Sequence, residues 1–243
     1  MGFMCICNVA ITAGPAYVAA HIRSPKGKPR GGKAERAMNR ITSALRSVLI
    51  LGPAVALALS AAVAAGAANP REAVEKFYGT LLGTMKEASK LGYNGRYQRL
   101  APVVQEVFDT QTMTRTAVGA RWSSLDESQR KELTEAFTRF IAATYANRFD
   151  GYANEQFVVK NTRELPDGAT VVETQMLRQN EEPINFNYVL RQTDGNWRIG
   201  DILFGAVSEM ANRRAEFSSV IRRDGVGGLI AELNRKVKDL ETP

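Results

Sequence analysis

The chain has 243 residues and a formal net charge of +7, but the charge is unevenly distributed. Residues 1–68 hold eight of the 32 basic residues and one of the 25 acidic ones, so residues 69–243 carry 24 of each and are formally neutral. Both cysteines and the only histidine also lie in residues 1–68. The remainder therefore has no means for a disulfide, for Ser–His or Cys–His catalysis or for a usual zinc site, and its charge does not favour nucleic-acid binding.

Residues 38–68 have the three parts of a secretory signal peptide. Arg40 and Arg46 supply the positive start, Val48–Val63 is an uncharged run rich in Ala, Leu and Val, and Ala65–Ala67 is a small-residue cleavage site. An uncleaved membrane anchor is the alternative, because the segment carries no charge after its two arginines. We expect cleavage, and hence an exported protein.

The segment before the signal peptide has no amphipathic period and is basic in its middle, where it reads SPKGKPRGGK. A signal peptide normally begins a chain, so we expect Met38 to be the true start and residues 1–37 to be a mis-called extension. A disordered basic tail is the alternative. Residues 69–243 contain no internal repeat or low-complexity linker and are expected to form one domain.

Helical periodicity predicts three helices at the start of this domain. The first runs over 70–91, the sequence LGYNG at 91–95 breaks it, a second covers 96–108, and a short third covers 110–120. Ser124–Glu127 then has the spacing of a capping box and predicts the start of the strongest helix, which runs to Phe149. Its apolar positions recur at helical spacing: Leu133, Phe137, Phe140, Ile141, Thr144 and Tyr145.

After residue 155 the hydrophobic period changes from 3.6 to 2, which predicts β-strands. Strands are expected at 156–161, 170–179, 184–192 and 197–204. Turn signals at Leu165–Gly168 and at Asp194-Gly195 join neighbours into an antiparallel meander. Helices are predicted again at 206–222 and 226–240. The expected fold is α+β, a twisted four-stranded antiparallel sheet wrapped by about six helices.

The glycine-rich segment RRDGVGGLIAEL at 222–233 looks at first like a phosphate-binding loop. It lies between two predicted helices, however, and neither a preceding strand nor a following Lys-Ser/Thr accompanies it. Gly225 is better interpreted as a residue that ends a helix with positive φ, and the segment as a hinge between two helices.

Two sets of charged residues are candidates for chemistry or recognition. Asp201, inside the last predicted strand, could act as a catalytic acid or base, but a structural role as a hydrogen-bonded core acid or a strand-end cap is the favoured interpretation. The arginines Arg213, Arg214, Arg222 and Arg223 could contact a phosphate or a partner, and a solvated helix face explains them equally well.

Aromatic residues are the clearest signal for function. Seventeen of the nineteen lie in 69–243, many of them on the inner faces of the long helix and the sheet. Close core packing explains such a set, and so does an apolar pocket of the size of a lipid, because sequence pattern alone cannot separate the two. The residues expected to line such a pocket are Phe137, Phe140, Ile141, Tyr145, Phe186, Tyr188, Leu190, Ile202 and Phe204.

Two long motifs resemble the MlaC or toluene-tolerance family of periplasmic lipid-binding proteins. The first is FDTQTMTRTAVGARWSSLDESQRKELTEAFTRFIAATY, with matches at Phe108-Asp109, Met113, Arg115, Gly119, Trp122, Gln129, Phe137 and Tyr145. The second is GAVSEMANRRAEFSSVIRRDGVGGLIAEL, with matches at Gly205, Val207, Ser208, Arg214, Phe217, Gly225, Gly228, Leu229 and Leu233. The stretch GRYQRLAPVVQEVFD looks closest to the subgroup associated with hopanoid biosynthesis.

The resemblance implies a sheet wrapped by helices that encloses an apolar cavity for acyl chains, and it implies no cofactor and no enzymatic activity. Members of the family ferry lipid between an outer-membrane lipoprotein complex and an inner-membrane ABC transporter. Either a phospholipid or a hopanoid is then the expected cargo, and Arg214, Arg222 and Arg223 are expected to meet a partner or a lipid head group. Two rivals remain open: a structural adaptor without cargo, and an enzyme that uses Asp201 with Tyr188 on an apolar substrate.

Overall fold

The computed structural model describes residues 69–241, and the expected signal peptide lies outside the described residues. Within 69–241 the chain forms five α-helices, one 3-10 helix and an antiparallel sheet. None of the helices in this range is both long and apolar enough to cross a membrane. The α+β class expected from the sequence is confirmed.

Four α-helices and the 3-10 helix precede the sheet. They are α1 (Pro70–Lys86), α2 (Ala88–Val107), α3 (Thr110–Val118), the 3-10 helix (Gly119–Ser124) and α4 (Glu127–Arg148). The first break falls at Glu87, earlier than predicted. The predicted break at 91–95 is present as a kink inside α2, where Gly92 has φ 60° and ψ −177°. Glycine suits this position because other residues rarely adopt positive φ.

The capping box of α4 lies two residues later than the predicted Ser124–Glu127. Asp126 accepts a hydrogen bond from the backbone N–H of Gln129 at 2.8 Å, and the Gln129 side chain accepts one from the backbone N–H of Asp126 at 3.1 Å. Ser124 cannot be the cap, because its hydroxyl donates to the carbonyl of Arg121 and closes the 3-10 helix. Both Ser124–Glu127 and Asp126–Gln129 have the residue types and the spacing of a capping box, so the sequence pattern did not identify which of them begins the helix.

The sheet has five strands in the order of the chain, all antiparallel. They are β1 (Gln156–Glu164), β2 (Thr170–Leu177), β3 (Ile184–Thr193), β4 (Asn196–Phe204) and β5 (Val207–Ser208). The four long strands are the predicted ones. The two-residue β5 occupies a stretch that was predicted as helix, so the last helix, α5 (Glu209–Glu241), begins three residues later than expected.

One face of the sheet is apolar, as the alternating pattern predicted. Ile184, Phe186, Tyr188 and Leu190 of β3 are all buried, whereas Asn185 between them is exposed. The hairpin between β3 and β4 turns at Asp194-Gly195, where both residues have positive φ, as a two-residue turn of type I′ requires.

Helix α1 covers the apolar face and contacts all four long strands. Its tyrosine Tyr78 shares a hydrogen bond of 2.5 Å with the hydroxyl of Thr174 in β2, which in turn donates to the carbonyl of Phe186 at 2.7 Å. Helix α4 packs chiefly against α2 and α5. The apolar face of the sheet is thus covered by α1, whereas α4 belongs to the group of helices around α2 and α5.

Helix α5 corresponds to the two helices predicted around the glycine-rich segment. Gly225, with φ 70° and ψ −176°, breaks it into two halves. A Cβ on Gly228 would lie 2.3 Å from the Cβ of Asp224, so this glycine permits the close approach of the two halves. Gly227 has open space around it. The prediction that the segment is a helix joint in which Gly225 takes positive φ is confirmed.

The joint generates a matched pair of stability predictions. Gly225→Ala should lower the free energy of unfolding by about 1–3 kcal/mol, because an L-residue is strained at φ 70° and ψ −176°. Gly227→Ala should raise it by up to about 1 kcal/mol, because alanine loses less conformational entropy in a helix. Urea unfolding of both variants checks this pair, and a shift of the same sign in both would contradict it.

Candidate functional site

A run of aromatic side chains, which we call the aromatic path, crosses from the end of α4 to the middle of the sheet. Phe149, directly after α4, packs on Phe157 of β1 with ring centroids 6.2 Å apart. Phe157 stacks on Tyr78 of α1 at 4.6 Å, and Tyr78 meets the ring of Tyr188 in β3 edge-on at 5.7 Å. Because the hydroxyl of Tyr78 is bonded to the sheet, the path presents mostly apolar ring surface between α1 and the strands.

A second aromatic cluster continues the core on the other side of α1. Phe77 meets Tyr145 of α4 at 4.9 Å and Phe108 at 5.2 Å, both in edge-on geometry. Tyr145 also stacks on Phe149 at 5.9 Å, so the cluster joins the aromatic path at its outer end. Edge-on and offset pairs of this kind add to the stabilisation that burial of the rings provides.

A cleft of about 270 Å³ opens at the outer end of the path, and we call it the Phe149 cleft. Its least exposed lining residues are apolar: Met85 at the end of α1, Phe149, and Met176 of β2. The remaining lining residues are Arg148, Asp150, Gly151, Tyr152, Ala153, Glu155 and Arg178. The cleft therefore changes from apolar on the inside to charged at the rim.

A second cleft, of about 400 Å³, lies where α2 kinks and α4 and α5 end, and Tyr93 and Arg96 line it. Arg96 is already engaged, since its Nε donates to the carbonyl of Ala146 at 2.7 Å. The hydroxyl of Tyr93 is buried without a hydrogen-bond partner, and burial, reinforced by the nearby Glu241, raises its pKa to about 12. This cleft does not connect to the aromatic path through any ring contact of the described residues.

Five of the nine residues expected to line a lipid pocket lie on the apolar face of the sheet, and a sixth, Tyr145 of α4, packs on Phe77 in the second aromatic cluster. The five are Phe186, Tyr188, Leu190, Ile202 and Phe204, and of the six only Phe204 is more than 9% exposed. Phe204 packs edge-on against Phe186 at 5.2 Å. The six pack against neighbouring side chains, and none of them lines either cleft.

Of the other three, Ile141 is buried, and Phe137 and Phe140 pack toward α5, so the expectation that they oppose the strands is wrong for these two. Phe137 meets Phe217 of α5 edge-on at 5.2 Å. The physical reason is that α1 occupies the apolar face of the sheet, which leaves the apolar stripe of α4 to pack against α2 and α5. The helical period identified a buried face of α4 correctly but could not identify its partner.

Phe140 lies beneath a network of buried charges. Arg213 and Lys236 of α5 approach its ring to 5.2 and 5.8 Å. The Arg213 guanidinium donates to Glu209 at 2.7 Å and to Glu216 at 2.6 Å, and Lys236 pairs with Glu216. Since Arg213 and Lys236 belong to the two halves of α5, the network, which we call the charge clasp, holds the halves together over α4.

The arginines proposed for partner or head-group contact have different surroundings. The exposed Arg214 packs over Gly119, where its guanidinium would lie 3.1 Å from an added Cβ. Arg223 is engaged by Asp224 at 2.7 Å. Arg222 is exposed, and among residues 69–241 it forms no ion pair. Gly119 and Arg214 belong to the two separate sequence motifs, which therefore meet in the fold.

Asp201, the candidate for catalysis, caps the start of α5. Its Oδ2 accepts a hydrogen bond from the hydroxyl of Ser208 at 2.6 Å, and its Oδ1 accepts one from the backbone N–H of Met210 at 3.1 Å. Asp201 is thus hydrogen-bonded, but it lies inside β4 and bonds to the start of α5 instead of capping the end of a strand. Both oxygens are occupied by groups that the helix start needs, which argues against an acid–base role.

Sequence reasoning missed four residues that matter at this site: Tyr78, Phe149, Phe157 and Met176. Phe157 had a usable signal, since it alternates with Val159 along β1 and both pack against the core. Tyr78 directly follows Phe77 and widens the apolar stripe of α1. Phe149 lies just beyond a helix end and Met176 at a strand end, where periodicity carries little information.

The fold and the aromatic path define a helix-covered α+β protein whose apolar interior reaches the surface at the Phe149 cleft. The sequence profile described as "MlaC protein" matches residues 75–235, and the chain belongs to the MlaC family. The resemblance seen in the two motifs is thereby confirmed.

Two relatives extend the comparison. The toluene tolerance protein ttg2D of Pseudomonas putida is 22% identical over 183 residues, which are 74% of this chain and 85% of that protein. The solved structure of a phospholipid-binding protein from Ralstonia solanacearum, in complex with a phospholipid, matches with a TM-score of 0.60 and 25% identity. The match covers 71% of this chain and 99% of that one.

The charge clasp generates a prediction of pH dependence. Burial raises the pKa of Glu209 to about 7, although the Arg213 guanidinium opposes the rise. Because this value exceeds the usual 4.5, the protonated carboxyl favours folding, and its contribution is fully present below about pH 4.5 and lost as the pH rises through about 7. Glutamine does not ionise, so the free energy of unfolding of Glu209→Gln should rise relative to that of wild type as the pH increases from about 5 to about 8, by up to about 3 kcal/mol in total.

Urea unfolding at a series of pH values measures this effect, and Glu216→Gln is its control. Burial acts to raise the pKa of Glu216 too, but Arg213 and Lys236 hold it below the usual value. The contribution of Glu216 is thus present above about pH 4.5 and lost as the pH falls, so its variant should show a constant deficit between about pH 5 and pH 8. A flat difference for Glu209→Gln as well would contradict the prediction.

Proposed function

We propose that this protein is a lipid carrier of the periplasm that takes up a phospholipid from one membrane and delivers it to another. One observation carries the proposal. The chain belongs to the MlaC family, and its fold aligns with 99% of a solved protein that holds a phospholipid. An apolar interior that meets the surface at the Phe149 cleft is the feature that such a carrier needs.

In the proposed bound state the acyl chains lie between α1 and the sheet, along the aromatic path. The lining then consists of side chains that are buried or partly buried around α1: Tyr78, Tyr145, Phe149, Phe157, Phe186, Tyr188, Leu190, Ile202 and Phe204. Each methylene transferred from water to such a lining contributes about 0.8 kcal/mol. Two long acyl chains therefore supply enough apolar burial for tight binding without any directional contact.

Loading requires α1 and the sheet to separate. The Phe149 cleft, at about 270 Å³, is smaller than most pockets for drug-sized ligands, which measure about 300–1,000 Å³. A phospholipid is larger than those ligands. The described conformation thus corresponds to a closed carrier, in which aromatic rings occupy the space that the chains would take.

We further propose that the carrier serves as the soluble component of an ABC-type lipid transport system, between an outer-membrane lipoprotein and an inner-membrane complex. Arg214 and Arg222 support the docking part, because both are exposed cations on one helix and neither pairs with a carboxylate among residues 69–241. Arg223 is the weaker docking candidate, since Asp224 and Glu232 already engage it. Contacts of this kind act through long-range attraction and are screened by salt.

Three competing functions are separated by lipid analysis of the purified protein. A hopanoid carrier would yield a polycyclic lipid without phosphate, and a structural adaptor would yield no stoichiometric lipid. An enzyme acting through Asp201 would turn over a substrate, and activity would be lost in Asp201→Asn. The hydrogen bonds of Asp201 to Ser208 and Met210 favour the non-enzymatic function.

The proposal predicts that Phe149 controls the rate of lipid uptake. Phe149→Leu should accelerate uptake of fluorescent phospholipid from vesicles several-fold, because it removes a ring that bridges Tyr145 and Phe157 at the cleft. The same substitution at Phe137, which packs against α5, is the control and should leave the rate unchanged. Equal effects of the two substitutions would show that uptake does not pass through the Phe149 cleft.

A further inference from the structure

The rim of the Phe149 cleft combines features that the acyl chains do not explain. Apolar chains need only the inner lining of Met85, Phe149 and Met176. Around that lining lie the partly buried Arg178, the carboxylates of Asp150 and Glu155, and the exposed Tyr152. Charged groups grouped at the mouth of an apolar space are what an amphiphilic ligand requires, since its polar end must stay solvated or be hydrogen-bonded.

Arg178, the residue that follows β2, is the most specific of these groups. Its side chain is only 20% exposed, and one of its terminal nitrogens pairs with Glu181 in the adjoining turn. Its Nε is buried and has no hydrogen-bond partner among the described residues. A buried guanidinium N–H without an acceptor costs free energy, and a ligand that supplies an acceptor would recover this free energy on binding.

Phosphate is the acceptor that this arrangement fits best. A guanidinium offers its Nε–H and a terminal N–H side by side, and phosphate oxygens accept both at once. Glu181 is 51% exposed and can be displaced from the arginine toward solvent. Arg148 lines the same cleft and adds positive charge to it.

The cleft also contains groups that suit a positive charge next to the phosphate. Asp150 and Glu155 line it, and one oxygen of Glu155 accepts the backbone N–H of Ala153 at 2.6 Å. The ring of Tyr152 already has a cation on its face, because Lys86 Nζ lies 5.4 Å from its centroid. A zwitterionic head group therefore fits better than a purely anionic one.

We infer that the Phe149 cleft binds the head group of a zwitterionic phospholipid, with its phosphate on Arg178 and its ammonium toward Asp150 and Glu155. This inference rests on the proposed lipid-carrier function and specifies its cargo. A hopanoid hydrocarbon without phosphate leaves Arg178 unsatisfied and is disfavoured. The orientation follows as well: the acyl chains extend from the cleft along the aromatic path, toward Tyr78 and Tyr188.

The test compares lipids that share their acyl chains and differ only at the head. Phosphatidylethanolamine and diacylglycerol are each presented in vesicles, and the amount bound at equilibrium is measured by mass spectrometry. Arg178→Gln should weaken binding of phosphatidylethanolamine about tenfold and leave diacylglycerol unchanged. Arg163→Gln, which removes an exposed arginine of β1 that pairs with Glu173, is the matched control and should change neither.

A second variant covers the case in which Arg178→Gln folds poorly. Glu181→Gln removes the exposed carboxylate that competes for Arg178, so phosphatidylethanolamine should bind about two- to threefold more tightly, with diacylglycerol unchanged. Phosphatidylglycerol, which lacks the ammonium, should bind wild type more weakly than phosphatidylethanolamine.

The outcomes separate the inference from the function on which it rests. Uptake of both lipids by wild type, with no selective effect of either variant on phosphatidylethanolamine, would overturn the head-group site and leave the carrier function standing. Equal or tighter binding of phosphatidylglycerol would overturn the ammonium contact. Uptake of neither lipid by wild type would overturn the carrier function and the head-group site together.

Discussion

The packing of α1 on the apolar face of the sheet is the interaction on which the rest of the structure depends. The sheet presents a row of apolar side chains that must be covered, and α1 covers it along all four long strands. Every other helix packs outside this pair or beside it. Because the contact consists mainly of aromatic and aliphatic surface, it is non-directional, and another apolar surface can replace it at little cost in transfer free energy. Acyl chains are such a surface.

The interface between α4 and α5 has the opposite character. Phe140 is covered by Arg213 and Lys236, and these cations are fixed by the buried Glu209 and the half-buried Glu216. Removal of the common cation Arg213 should be strongly destabilising, because the Glu216 carboxylate would lose one of its two cations. The molecule therefore contains two kinds of interface. The interface between α1 and the sheet is apolar, and another apolar surface can replace either side of it. The interface between α4 and α5 is held by ion pairs and resists opening. This difference is the reason why the proposed loading separates α1 from the sheet and not α4 from α5.

Much of the fold was predictable because it depends on local periodicity and turn chemistry. The four long strands, their order and the Asp194-Gly195 hairpin follow from alternation and from the need for positive φ. The partner of each apolar face was not predictable in this way. The stripe containing Phe137 and Phe140 looked like a wall opposite the sheet, yet α1 fills that place. Periodicity reports that a face is buried, whereas the choice of neighbour depends on how all the helices share the available apolar surface.

The most direct test of where the lipid lies uses tryptophan fluorescence and brominated acyl chains. Phe157→Trp and Phe140→Trp place a reporter on the aromatic path and beneath the charge clasp, respectively, after the native Trp122 and Trp197 have been replaced by phenylalanine. Bromine quenches by contact, so the position of the chains determines which reporter loses its fluorescence. Chains bound between α1 and the sheet quench the reporter at position 157 and leave that at position 140 bright. Quenching at position 140 alone would contradict the proposed site.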